Sequence, residues 1–518
     1  MAIDKIIVIN ASAFQEKYGS AGYRRINGAL KQMIAADAAR GIASKVIAID
    51  SAVHMSKYGK PVLSHVDSSQ AKSAIDSIYA KEKPDYILIL GAGDVVPLVP
   101  LKNPVYSPKP EDDNDKTVPS DLPYACDTAY STDINHYVGP TRVVGRLPDL
   151  FGADDPQYLL KLLATATTHK TRQPADFQKY FALSARVWST STSRSISNLF
   201  GNSTGLQTTP AAGPSWARIQ LAPRIHFINC HGGHNNIHYF GQPRRKLEFP
   251  KALSANYLPK KIIPGTIMAA ECCYGAQLYN PSATSGQPSI AYTYLGEGAY
   301  GVFGSTTIAY GSSESNSSAD LLCQYFIQSV MSGASLGRAA LEARQQFAGQ
   351  YSHLSPYDLK TLAQFYLLGD PAIQAVTIVP HGLNNTKAFQ AAFAKSGDSG
   401  PRSLRRERLH RVGSSLQAGL PTTRKTTRGT GARPSREIAR ILADAARESG
   451  LHEHTSLHFH VSPKVRTHQA TGLKRTIHLL MGTANKTATK DSPVKSIIAI
   501  IATAEGGKLL HLRRLHSR

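Results

Sequence analysis

Two short segments hold residue types that can do chemistry together. NCHGG sets Cys230 and His231 directly after the apolar run RIHFIN, with Gly232 and Gly233 just beyond. Further along, ECCYGA follows the run GTIMAA and sets Cys272 and Cys273 ahead of Gly275. A thiolate is the reactive form of cysteine, and a neighbouring imidazole can lower the thiol pKa and later protonate a leaving amine. Glycine beside each group leaves room for a substrate backbone and frees the Gly232 amide to face an oxyanion. Taken singly, each residue has a plainer explanation, because cysteine is among the most buried residue types and a lone strand-end histidine is commonly structural. The pair points to covalent catalysis through a thiol.

Such a pair works only if two strands end side by side. In open parallel sheets, sites lie beyond the carboxyl ends of strands. The chain reads as IIVIN (Ile6 to Asn10), a helix-like stretch around Arg24 to Ala39, KVIAID, a helix-like stretch around Gln70 to Ala80, and DYILILG. That order predicts a largely parallel sheet with crossover helices. TRVVGRL, YFALSARV, RIHFINC, GTIMAA and AYGVFGS add strands, and ADLLCQYFIQSVMS and SLGRAALEARQQF add helices. The loop GAGD after DYILIL is no dinucleotide site, since the third glycine is missing and Pro97 stands where a helix should open. Asp94 and Asp121 are candidates for a pocket that takes a basic side chain, although such aspartates more often cap helices or turns.

The 518 residues carry 59 Lys and Arg against 36 Asp and Glu, a formal charge of +23, with 42% hydrophobic residues. This excludes a wholly disordered chain and allows several globular units. After residue 380 there are 25 Lys or Arg against 8 Asp or Glu, so +17 of the charge lies in the last quarter. From Lys395 to about Arg436 the text is rich in Ser, Thr, Gly, Pro and Arg without apolar periodicity, which reads as a flexible basic linker. The division expected is an accessory Rossmann-like α/β part over 1–170, a catalytic part over 171–380, the linker over 381–435, and a small basic α/β or β-rich part over 436–518. The basic region could bind an acidic partner or nucleic acid, although the linker has almost no aromatic residue for base stacking.

Five cysteines without paired spacing argue against a disulfide framework or a zinc ribbon. In LHEHTSLHFH, His452, His454, His458 and His460 all fall at even positions, and a solvated histidine face is expected rather than a metal site. No run approaches the length needed to cross a bilayer. The start, MAIDKIIVINASAF, lacks the features of a secretory signal, so residence in the cytoplasm is expected.

The order strand-His-Gly followed by strand-small-Cys resembles the caspase-like superfamily, which includes caspases, legumain, clostripain, separase and gingipains. The chain looks most like the gingipain-type cysteine peptidases, through DYILILGAGDVVP, SDLPYA, VGRLP, NCHGG, ECCYGA, GEGAYGVFGST and FYLLGDPAI, all before His381. The resemblance implies caspase-like, Rossmann-like, mostly parallel sheets flanked by helices, in two subdomains. It implies His231 as catalytic histidine and Gly232 as oxyanion-hole glycine. Cys273 is preferred as nucleophile, with its own amide joining that of Gly232 on the oxyanion. Cys272 remains the alternative, because it has the commoner Cys-x-x-Gly spacing but puts Glu271 directly before the nucleophile.

The activity implied is hydrolysis of a polypeptide through a thioester, with no organic cofactor. Relatives often carry structural calcium, but no acidic loop here has a recognisable calcium pattern, so no metal is expected. Gingipain-type relatives favour Arg or Lys before the scissile bond, and Asp121 is the candidate carboxylate for that preference. Caspases favour Asp and use arginines, which a basic chain could also supply. The rival readings are a catalytically dead caspase-like scaffold and a nucleic-acid-binding or partner-binding protein acting through its basic region.

Overall fold

The computed structural model describes residues 3–351, 353–377, 412, 416, 425–429, 433–451, 453–462, 475–483 and 494–518. The apolar runs form the strands expected of them. In the first half these are β1 (Lys5–Ile9), β2 (Ser44–Ala48), β3 (Tyr86–Leu90), the antiparallel pair β4 (Val99–Lys102) and β5 (Thr117–Ser120), and β6 (Val144–Leu147). The second half adds β7 (Tyr180–Ala185), β8 (Leu206–Thr209), β9 (Ile225–Asn229), the small strands β10 (His231–Gly232), β11 (His238–Phe240) and β12 (Lys251–Ser254), then β13 (Ile267–Ala270), β14 (Gly301–Ser305), β15 (Tyr310–Gly311) and β16 (Phe365–Leu368). KIIVI, YILIL, IHFIN and GVFGS are buried at every position, as strands covered on both faces by helices must be.

One ten-stranded sheet runs β2-β1-β3-β6-β16-β14-β13-β9-β7-β8. β2-β1-β3-β6-β16 are mutually parallel, as are β14-β13-β9-β7-β8, and the two sets meet antiparallel at β16 and β14. This is the largely parallel, helix-flanked sheet that the sequence predicts. The first helix spans Ala11–Ala39, longer than its apolar pattern suggested, and it bends at Gly19, whose φ is 64°. The helix Ser68–Glu82 opens where the Asp67 carboxylate accepts the Ser69 and Gln70 amides. No helix among the described residues is long and apolar enough to cross a membrane.

The C-terminal strands β17 (Thr426–Arg428), β18 (Thr455–Val461), β19 (Arg475–Thr483), β20 (Ile497–Glu505) and β21 (Lys508–Ser517) form an antiparallel sheet. Gly506 and Gly507, at φ 58° and 83°, make the tight turn between β20 and β21, where both central residues need positive φ. The sixth strand of this sheet is β15, which belongs to the second half of the body. One face packs Phe459, Leu479, Ile501 and Leu515 in a common cluster with Val105, Tyr310 and Tyr357 of the body. The helix Arg436–Glu448 covers the other face through Ile438, Leu442 and Ala445. The C-terminal part is thus built onto the body and shares a strand with it.

Most of the stretch 381–435, read from the sequence as a basic linker, lies outside the described residues, as does His452. Of the other histidines in that motif, His454 and His460 are exposed, and Nδ1 of the half-buried His458 lies 3.0 Å from Nδ1 of His478.

Candidate active site

Parallel pairing brings the two chemical segments together. β9 and β13 pair Ile225 with Ile267 and Ile228 with Ala270, and the Glu271 amide still donates to Ile228 O at 2.8 Å. Extended three residues past Ala270, the same register sets Cys273 level with His231 and Cys272 level with Cys230. The backbones nearly touch there: a Cβ added to Gly232 would stand 1.8 Å from the Cys273 carbonyl oxygen. Only glycine permits this approach.

His231 is fully buried, with its ring centroid 4.2 Å from that of Trp188 and 4.9 Å from that of Phe249. Its Nε2 donates to Gln242 Oε1 at 2.7 Å, which fixes the tautomer whose lone pair is on Nδ1. Nδ1 is buried and has no hydrogen-bond partner among the described residues. Burial pushes the imidazole pKa down to about 3, and the nearby Arg518 and His516 push the same way. Burial also pushes the Cys273 thiol up to about 12, and its Sγ donates to Ala309 O at 3.5 Å. Both groups are neutral in this arrangement. Cys272 faces the core of the sheet, 3.9 Å from Ile228 O, and burial raises its thiol well above the ordinary range.

The Gly232 and Cys273 amides both point at one oxygen, the backbone carbonyl of Arg518, at 3.4 and 3.1 Å. The Arg518 amide in turn donates to Ala309 O at 2.9 Å, continuing the antiparallel pairing of β21 with β15, in which Ser517 faces Tyr310 and His516 faces Gly311. The Arg518 side chain is fully buried. Its guanidinium carbon lies 4.4 Å from the centre of the Trp188 ring, and Nη2 donates to Asp320 Oδ1 and Oδ2 at 2.9 and 3.1 Å and to Ser312 O at 2.7 Å. A Cβ on Gly311 would come within 2.3 Å of that nitrogen, so the glycine makes the pocket deep enough. Asp320 opens the helix Ala319–Met331, and Asn229 from the end of β9 steadies it at 3.3 Å. Glu271 lies beside it, and burial together with the Asp320 charge raises its carboxyl pKa well above the usual range, so it stays protonated.

Asp121 is placed elsewhere. It is buried and pairs bidentately with Arg146, at 2.6 and 2.9 Å, while the other arm of the same guanidinium holds Gly91 O and Val96 O. Asp121 thus sits in a buried ion pair with Arg146, and at the cleft it is Asp320 that meets an arginine, Arg518. Asp121→Ala should leave Arg146 buried and unpaired, costing about 3–5 kcal/mol of stability in chemical denaturation. Asp94 is likewise engaged, by Lys17 at 2.6 Å. An acidic loop of the first half reaches this region: Asp115 accepts Tyr274 OH at 2.8 Å and Asp113 accepts Tyr310 OH at 2.9 Å.

Gln242, Trp188, Gly311 and Asp320 escaped the sequence reading. Gln242 lies in a connecting segment, and Asp320 reads as an ordinary acid in the first turn of a helix, where the dipole favours it. Neither position has a periodic or spacing signal.

A helix-flanked, mostly parallel sheet of this kind is the architecture of the caspase-like cysteine peptidases. The chain belongs to peptidase family C25, whose family model matches residues 2–376. It is a cysteine-type peptidase, and its substrates are polypeptides. A solved structure described as "Structure of Protease" is similar over 99% of this chain and 97% of its own, at 12% identity and a TM-score of 0.47. No curated protein matches the chain.

Proposed function

We propose that the chain is an endopeptidase that cuts after arginine or lysine, with Cys273 as nucleophile and His231 as general base and acid. One set of contacts supports this reading above the rest. An arginine carbonyl oxygen rests on the amides of Gly232 and Cys273 while its guanidinium rests on Asp320. A substrate strand would add to β15, put its basic side chain against Asp320 and Trp188, and turn its carbonyl oxygen to the two amides. The Cys273 proton passes to His231 Nδ1, and the thiolate attacks the carbonyl carbon. The C–N bond then breaks, and the imidazolium gives its proton to the leaving amine. Water, deprotonated by the same imidazole, opens the thioester to release the new acid and restore the thiol. Gln242 holds the Nε2 proton throughout, so Nδ1 is the atom that takes the second proton and returns it.

Cleavage-site profiling of a peptide library with the intact protein tests the assignment. The expected profile has Arg or Lys before nearly every cut. A profile dominated by acidic or small apolar residues at that position would overturn the specificity and leave the cysteine and histidine roles standing.

A further inference from the structure

The cleft that a substrate strand would enter is already filled by residues 508–518 of the same chain. We propose that this segment is a built-in occupant that holds the peptidase off until it is displaced; the proposal rests on the reading of the cleft given above. Three features of a bound substrate coincide in it: antiparallel pairing to the edge strand β15, a backbone carbonyl on both oxyanion amides, and a cation against the buried carboxylate. The same strand is fastened at its other edge to β20 along its length, and Arg513 pairs bidentately with Asp358 of the body at 2.8 and 3.0 Å. Fastening of this kind makes the encounter intramolecular, with effective concentrations of the order of millimolar, so modest contacts at the cleft keep it occupied.

The hold at the cleft is nonetheless local. β21 meets β15 over two residue pairs, and a cavity of about 530 Å³ lined by Arg194, Glu314, Ala445, Leu512 and Arg514 opens in the seam beside it. The end of β21 can therefore lift from β15 while the rest of the sheet stays packed on the body. Lifting it wets Cys273 and His231, which are both dry and neutral while the strand is in place.

The test compares the full chain with Arg518→Gln, which stays polar but loses both the charge and the reach to Asp320, and Arg518→Lys, which keeps the charge. Two rates are measured: carbamidomethylation of Cys273 by iodoacetamide, read by mass spectrometry against Cys272 in the same peptide, and hydrolysis of a fluorogenic arginine peptide. Arg518→Gln should raise both by about tenfold or more, the effect of losing about 1.4 kcal/mol of strand binding, while Arg518→Lys stays near the parent. Faster alkylation without hydrolysis in any protein supports the occupant and overturns the reading of the cleft as a site that cuts after arginine. Equal alkylation in all three proteins overturns the occupant, and measurable equal hydrolysis alongside it leaves the peptidase reading intact. If Arg518→Gln does not fold, hydrogen exchange on the parent decides: an arginine peptide aldehyde bound at Cys273 should speed exchange over residues 509–517, and unchanged exchange overturns the proposal.

Discussion

Cys273→Ala and His231→Ala, each placed in the Arg518→Gln background so that the cleft is open, are expected to lower kcat for an arginine peptide by about 10⁴-fold or more, the scale of losing a nucleophile or its base. Cys272→Ala in the same background should keep most of the activity. The contrast comes from position. The amide of Cys273 points at the oxygen that Gly232 also contacts, whereas the Cys272 thiol faces Ile228 in the core of the sheet. Folding should survive the Cys273 change, which removes one buried sulfur atom and leaves the rest of the apolar cluster in place, and matching circular dichroism spectra check this. Loss of activity on Cys272→Ala with activity kept on Cys273→Ala would reverse the nucleophile assignment and leave the peptidase class untouched.

The parts of this site that depend on one chain direction were legible. RIHFIN and GTIMAA are apolar enough to be buried parallel strands, and the residues just after each strand must emerge at the same edge, so a common edge for His231 and the Cys272–Cys273 pair could be read from the sequence. The choice between adjacent cysteines could not be made firmly, because it turns on register, and a slip of one residue exchanges the core side for the cleft side. The antiparallel meeting of β14 and β16 was also hidden, since FYLL reads as a strand with no mark of its direction.

Charge misled in an instructive way. SDLPYA and VGRLP were both singled out, yet nothing in either shows that Asp121 of one and Arg146 of the other satisfy each other. Conversely, the excess of Lys and Arg near the end of the chain suggested an external acidic partner. Two of those arginines, Arg513 and Arg518, find their carboxylates within the body, at Asp358 and Asp320. A two-residue strand such as β15 leaves no periodic signal, so the edge that receives β21 was not readable either.

Asp320→Asn, again with Arg518→Gln to clear the cleft, is expected to lower kcat/KM for arginine and lysine peptides by about 10²–10³-fold, the range for removing one partner of a buried, hydrogen-bonded charge pair. The amide keeps the size of the carboxylate and one acceptor oxygen, so what is lost is charge rather than shape. Arginine should suffer more than lysine in absolute terms, because its planar fork can use both Asp320 oxygens and stack on Trp188, whereas an ammonium is a point charge. Cys273 should remain fully reactive toward iodoacetamide, since Asp320 touches the guanidinium and not the thiol. Gly311→Ala gives the steric counterpart: a methyl group 2.3 Å from the place the guanidinium nitrogen now holds should exclude arginine while leaving Asp320 charged. If both variants cut after arginine as well as their parent does, the pocket at Asp320 is not where the basic side chain goes, and Arg518 reaches it for a reason unrelated to substrate.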